Sequence, residues 1–264
     1  MITAGLDIGS TTSKAVLYDG VRILGTAVIP NLALPSDSAR CVFDAGLLSA
    51  GLDRSRVEAV AATGYGRRLA GFGDLVVTEI KACALGVGHA GSPHGPIRTV
   101  LDLGGQDTKV IAIGDQGEVQ DFAMNDKCAA GTGRFLELLA RKLDLTFDEF
   151  VQAALRSENP VHMNSTCAVF AESEVVSLLA RGISKDEIAA GAHQAIAERI
   201  GAMVRRVGQQ EVIAFVGGGA LNQALARSVE ESLNRTVFIP DSPQTLVALG
   251  AAIAAFGRSR EGVF

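Results

Sequence analysis

One eight-residue pattern is written twice in this chain. Asp7-Ile8-Gly9-Ser10-Thr11-Thr12-Ser13-Lys14 returns as Asp102-Leu103-Gly104-Gly105-Gln106-Asp107-Thr108-Lys109, with Asp, Gly and Lys each displaced by the same 95 positions. Both copies are flanked by apolar runs, Ile2 to Leu6 and Ala15 to Leu17 for the first, Val100-Leu101 and Val110 to Ala112 for the second. An apolar run, a tight Gly turn and a second apolar run read as a β-hairpin. A Gly/Ser/Thr-rich turn aims several N–H groups and hydroxyls at one point, a nest that suits phosphate oxygens. The carboxylate at each strand end adds the hard oxygen that a Mg²⁺ ion prefers. Two such turns could grip one polyphosphate from both sides, so the repeat makes nucleotide binding the leading reading.

Composition sets the limits. With 264 residues, 48% of them hydrophobic, the chain can build two domains of ordinary size with real cores. Its net charge of −5 argues against a nucleic-acid partner, which usually meets a basic face. No apolar run reaches transmembrane length and no signal-peptide pattern precedes the first strand, so the expectation is no membrane and a cytoplasmic location. In that reducing compartment Cys41, Cys83, Cys128 and Cys167 are expected to be core thiols, metal ligands or redox groups rather than disulfides.

Along the chain, strands are expected near 2–8, 14–18, 23–29 and 57–62, with a helix from Asp37 to about Ala50 capped by Ser36. Glu79 to His89 reads as a helix, and Ala90 to Pro96, with two Pro and two Gly, as a linker. The strand pattern then restarts at 99–103, 108–113 and 118–123. Beyond 124 the period turns helical: Phe135, Leu136, Leu139 and Leu143 share a face, a helix is expected over about 168–180, and Ser184-x-x-Glu187 opens a long one. A buried strand, Val212 to Val216, runs into Gly217-Gly218-Gly219 and another helix. Ser242 and Pro243 read as the N-cap and first position of a final helix to about Phe256. The expected organisation is two α/β domains, 1–94 and 97–242, with the helix 243–256 packing back on the first.

At this point the residues resemble a known superfamily, the duplicated actin-like (ribonuclease H-like) fold of actin, sugar kinases and heat-shock ATPases, two α/β domains around a nucleotide cleft. Its first phosphate loop is similar to Asp7 to Lys14, its second to Asp102 to Asp107, and its adenosine loop to Gly217-Gly218-Gly219. More closely, the chain resembles the ATP-dependent activators of 2-hydroxyacyl-CoA dehydratases, grouped with the ATPase subunits of benzoyl-CoA reductase in the BadF/BadG/BcrA/BcrD family. The matching segments are Thr63-Gly64-Tyr65-Gly66-Arg67, the second loop, Asn125 to Gly133, Ser165 to Glu174, the glycine triplet, Pro243-Gln244 and Ala248 to Ala252, nearly end to end.

The resemblance implies roles. Gly9, Ser10, Thr11, Thr12, Gly104 and Gly105 would supply donors to the phosphates, and Lys14 positive charge. Asp7 and Asp102 would hold Mg²⁺ through water. Gln106 would orient the attacking water, and Asp107 is a candidate base, with capping of the turn as its plainer alternative. Gly217, Gly218 and Gly219 would admit adenosine, with Asn222 and Gln244 as candidates for the same pocket or as helix caps.

Cys128 and Cys167 are 39 residues apart, with no C-x-x-C spacing, so the spacing alone leaves two unrelated buried thiols as an open reading. Each stands before an expected helix start, where a thiolate is stabilised. A cubane cluster needs four thiolates, and two per chain suffice only when two chains share it. The resemblance implies that arrangement: a homodimer bridged by one [4Fe–4S] cluster on Cys128 and Cys167. Cys41 and Cys83 match no ligand and read as packing thiols. His89, His94, His162 and His193 show no metal spacing. The implied job is to bind ATP/ADP, receive an electron from ferredoxin or flavodoxin, and drive it into a 2-hydroxyacyl-CoA dehydratase. The alternatives are an ATPase subunit of a benzoyl-CoA reductase, a small-molecule kinase without iron, and a nucleotide-switched scaffold.

Overall fold

The computed structural model describes residues 1–125, 131–163, 168–208 and 211–260. Two compact units emerge. The first comprises Met1–Ile97, Ile113–Gln120 and the chain from Pro240; the second comprises Arg98–Ala112 and Asp121–Ile239. Among the described residues no helix is long and apolar enough to cross a membrane.

The first unit is built on strands β1 (Thr3–Ile8), β2 (Thr12–Tyr18), β3 (Ile23–Pro30), β4 (Ala59–Thr63) and β5 (Leu75–Val76), ordered β3-β2-β1-β4-β5. β1 runs antiparallel to β2 and parallel to β4. α1 (Pro35–Ala50) covers one side of the sheet through Val42, Phe43 and Leu47. α2 (Glu79–Ala90) packs on the last helix of the chain, α8 (Leu246–Arg260), which also lies along β1.

Small residues make that layer possible. A Cβ added at Gly86 would lie 1.8 Å from the Leu246 carbonyl oxygen, and one at Gly250 only 1.7 Å from the Ala82 carbonyl oxygen. A Cβ at Gly5 on β1 would likewise meet the Ala248 oxygen at 1.9 Å. The three glycines let two helices and a strand approach backbone to backbone.

The second unit repeats the plan. β6 (Thr99–Leu103), β7 (Thr108–Ile113), β8 (Val119–Asn125) and β9 (Ile213–Val216) are ordered β8-β7-β6-β9, with β6 antiparallel to β7 and parallel to β9. Phe238 adds a parallel bridge beside β9, at the position β5 holds in the first sheet. The helices are α3 (Gly133–Lys142), α4 (Phe147–Arg156), α5 (Ala168–Ala180), α6 (Lys185–Val207) and α7 (Gln223–Leu233). Phe135, Leu139, Phe150, Val175, Ile196 and Phe215 share one core.

Three local expectations are corrected. α1 opens at Pro35, whose fixed φ suits a first helical position, so Ser36 lies inside the helix and Leu34 at the cap makes no side-chain bond. Ser38 instead accepts from the Leu32 N–H at 2.8 Å. Ser242 sits at φ +53° in a turn closed by the Thr245 N–H on its carbonyl, so α8 starts at Leu246 rather than at Pro243. α4 was not anticipated, although Thr146 and Glu149 form the same reciprocal capping box as Ser184 and Glu187.

Replacing Gly250 with Val should destabilise the protein by roughly 3 kcal/mol, because overpacking here pushes backbone against backbone. Chemical denaturation reads this directly; an unmoved midpoint would mean that the α2–α8 approach is not constrained.

Candidate nucleotide-binding loops

In the first unit, the β1–β2 register sets Asp7 opposite Lys14. The Lys14 Nζ lies 3.1 Å from Asp7 Oδ2 and donates to the Thr12 carbonyl at 3.4 Å. Asp7 is 7% exposed, so its charge is held by a partner and not by bulk water. Gly9 lets the turn close: a Cβ there would lie 2.8 Å from the Thr12 oxygen. Asn31, at the end of β3, latches the turn. Its side-chain amide donates to the Gly9 carbonyl at 2.7 Å, its backbone N–H to the Thr11 carbonyl at 3.0 Å, and its Oδ1 accepts from Ser13 at 2.8 Å. No local pattern in the sequence flags Asn31.

The segment Thr63 to Arg67 backs this loop. Thr63 ends β4 in register with Asp7. Gly64 adopts φ +90°, and a Cβ there would sit 2.5 Å from Asp7 Oδ1, so only glycine permits both the turn and the carboxylate. The Gly66 N–H donates to the Ile8 carbonyl, and Arg67 ties the Gly64 carbonyl to Glu79. Tyr65 is exposed. The Thr11 and Thr63 hydroxyls are buried and have no hydrogen-bond partner among the described residues. An unpaired buried hydroxyl costs about 1–3 kcal/mol, so this end of the sheet is suited to a polar ligand such as a phosphate or hydrated Mg²⁺.

In the second unit the pairing recurs: Asp102 stands opposite Lys109. Lys109, almost fully buried, lies 3.6 Å from Asp102 Oδ2 and 2.8 Å from Asp107 Oδ2. The Asp107 carbonyl accepts from the Gly104 N–H at 2.9 Å and closes the turn, and a Cβ on Gly104 would collide with its carboxylate. Gln106 is exposed at the tip. The start of α3 is seated on this turn through Gly133 N–H to Gly104 and Arg134 N–H to Gly105.

The glycine triplet meets the same strand end. Gly217, at φ +81°, leaves no room for a Cβ: it would lie 2.5 Å from the Leu103 oxygen and 2.6 Å from Asp102 Oδ1. Gly219 rests on the Leu103 side chain in the same way. Asp102, Gly104 and Gly217 to Gly219 therefore converge. Asn222 follows and caps α7 by accepting from the Leu225 N–H at 3.0 Å, while its amide nitrogen meets His193 Nε2 at 2.9 Å. His193 is buried, and burial pushes its pKa down to about 4. Gln244 lies half-buried in the turn ahead of α8.

Cys128 and Cys167 lie outside the described residues. Among the described residues no three His, Cys, Asp or Glu side chains gather as a metal site. Cys83 is fully buried on α2, whereas Cys41 is exposed on α1 and does not serve as a packing thiol.

The family model of the BadF/BadG/BcrA/BcrD ATPases matches residues 4–255. The chain belongs to that family. The 2-hydroxyisocaproyl-CoA dehydratase activator of Clostridioides difficile is 39% identical over 99% of this chain and 97% of its own. The activator of lactoyl-CoA dehydratase from Anaerotignum propionicum is 39% identical over 97% and 98%. The solved structure of the Clostridium difficile 2-hydroxyisocaproyl-CoA dehydratase activator with bound ADPNP superposes with a TM-score of 0.92 at 38% identity, covering 99% of this chain and 97% of that one. A ROK hexokinase from Thermus thermophilus shares the fold alone, with a TM-score of 0.56 at 18% identity over 98% of this chain and 100% of its own. The duplicated α/β plan expected from the repeated hairpin, and the actin and sugar-kinase fold implied by the resemblance, are those of these structural neighbours.

The His193 environment has a measurable consequence. Its folded pKa lies below the ordinary 6.5, so between about pH 6.5 and 4 the unfolded chain binds a proton that the folded chain does not. Stability contributed by the neutral ring is complete above that window and is lost as pH falls through it. The slope of unfolding free energy against pH between these values should drop by about one proton in His193→Gln. An unchanged slope would mean that the ring is not held neutral.

Proposed function

We propose that this protein hydrolyses MgATP to drive a single low-potential electron from ferredoxin or flavodoxin into a 2-hydroxyacyl-CoA dehydratase. The observation that carries the reading is the buried Asp–Lys pair set at the same register position of both Gly-turn hairpins. It occurs in a chain of an ATPase family, with relatives at 39% identity that are named as dehydratase activators.

The turn backbone and hydroxyls at Gly9 to Thr12, with Gly104 and Gly105, hold the phosphates, and Lys14 adds charge. Asp7 and Asp102, each with a lysine at one carboxylate oxygen, would hold Mg²⁺ through water, and the ion would neutralise phosphate charge. Gln106, exposed at the tip of the turn, orients the water that attacks the terminal phosphorus as ADP leaves. Asp107 takes its proton, and the Lys109 contact fixes the direction of that carboxylate. Gly217 to Gly219, with Asn222 and Gln244, receive the adenosine.

Cys128 and Cys167 from each of two chains are the proposed ligands of one [4Fe–4S] cluster, which when bound supplies one-electron transfer. Support comes from their places in the sequence. Cys167 directly precedes α5, Cys128 shortly precedes α3, and these two helices pack on each other in one core through Phe135, Leu136, Ala171 and Val175. The proposed compartment is the cytoplasm, where ATP and the donor are available.

Protein purified without oxygen should carry about two irons and two acid-labile sulfides per chain, at the solution mass of a dimer. Cys128→Ser should abolish the iron and spare ADP binding. Absence of iron after reconstitution would overturn the cluster and leave a kinase or scaffold as the reading.

A further inference from the structure

His193 is a buried titratable side chain that no proposed chemistry uses, and its two nitrogens have only one consistent assignment. The Leu225 N–H requires an oxygen, which fixes Asn222 Oδ1 on that side. The Asn222 amide NH₂ therefore faces His193 and donates to Nε2 at 2.9 Å. Nε2 must then be the acceptor, so the proton is on Nδ1, which donates to the Ala189 carbonyl one helical turn back at 2.7 Å. Phe150 of α4 lies against the ring, with centroids 5.2 Å apart. One imidazole thus joins α4, α6 and the cap of α7.

Asn222 is also the last residue of the glycine turn. Its N–H donates to the Gly219 carbonyl at 3.1 Å, and the Ala220 N–H to Gly217 at 3.3 Å. The other end of the turn is clamped on Leu103 by the close approach of Gly217 and Gly219. Between these anchors Gly218 and Leu221 are exposed. Glycine-rich backbone is costly to order, so a turn of this composition needs an external brace to keep one conformation.

We propose that His193 is a positioning residue for adenosine: as a hydrogen-bond acceptor it holds Asn222, and through Asn222 the Gly217–Leu221 backbone, in the conformation that receives the nucleoside. This rests on the assignment of that turn to adenosine. The brace works only with a lone pair on Nε2; a second proton would set two donors against each other.

Leucine at 193 removes the acceptor, whereas glutamine can offer Oε1 to the Asn222 amide. Amide hydrogen exchange at Leu225 and Asn222, and the ADP dissociation constant, should be measured on the full chain. His193→Leu should speed exchange at both amides and weaken ADP about tenfold, the scale of one lost buried hydrogen bond, and His193→Gln should recover most of both. A folded His193→Leu with wild-type exchange would overturn the brace. Faster exchange with unchanged ADP affinity would uphold the brace and overturn the adenosine assignment. Should His193→Leu fail to fold, Asn222→Asp serves instead. It keeps the cap but replaces the donor with an acceptor, and the imidazole ¹⁵N shifts should report a proton moving onto Nε2. Unchanged shifts would again overturn the brace.

Discussion

Each half of this molecule depends on a lysine–carboxylate contact between the first and last residues of an Asp-x-Gly…Lys hairpin, shared in the second half with Asp107. Asp7 with Lys14 is largely, and Asp102 with Lys109 almost wholly, taken out of water. A buried charge without its partner is costly, and removing one member typically costs about 3–5 kcal/mol. The pair therefore fixes the register: a slip by one residue would send the two charges to opposite faces. With the register fixed, four residues must cross from strand to strand, 9–12 in one hairpin and 104–107 in the other, and only glycine at Gly9 and Gly104 leaves room for the chain to do so. The ion pair thus determines where the carboxylate stands, how tight the turn is and where its N–H groups lie.

The surrounding structure braces these turns differently in the two units. The first uses Asn31 as a three-point latch and the Thr63–Arg67 turn as a backing. The second seats the start of α3 on Gly104 and Gly105 and lays the glycine triplet against Asp102. In both, glycines such as Gly9, Gly64, Gly104 and Gly217 sit where the backbone presses on backbone or on a carboxylate.

Much of this was legible in the sequence because it is local. The β6 and β7 limits, α5 and the capping box of α6 follow from short patterns and agree with the structure. The repeated hairpin carried the fold class, and the spread of motifs carried the family. What was missed depends on distant partners. Asn31 lies 22 residues from the carbonyl it holds, and His193 lies 29 from Asn222, so neither announces itself by spacing. Ser36 and Ser242 misled because a serine near a helix start is a strong local signal that Pro35 in one case, and a left-handed turn in the other, override. The α4 capping box is equally local, since Thr146 and Glu149 carry the same signal as Ser184 and Glu187.

The central claim is that both copies of the hairpin belong to one ATPase machinery. The most direct test is the steady-state rate of ATP hydrolysis by Asp7→Asn and by Asp102→Asn, each verified as folded. The duplicated site requires that both variants lose turnover, by about a hundredfold or more if each carboxylate supports the metal. Wild-type hydrolysis by either one would mean that its hairpin is a structural repeat and not a phosphate loop.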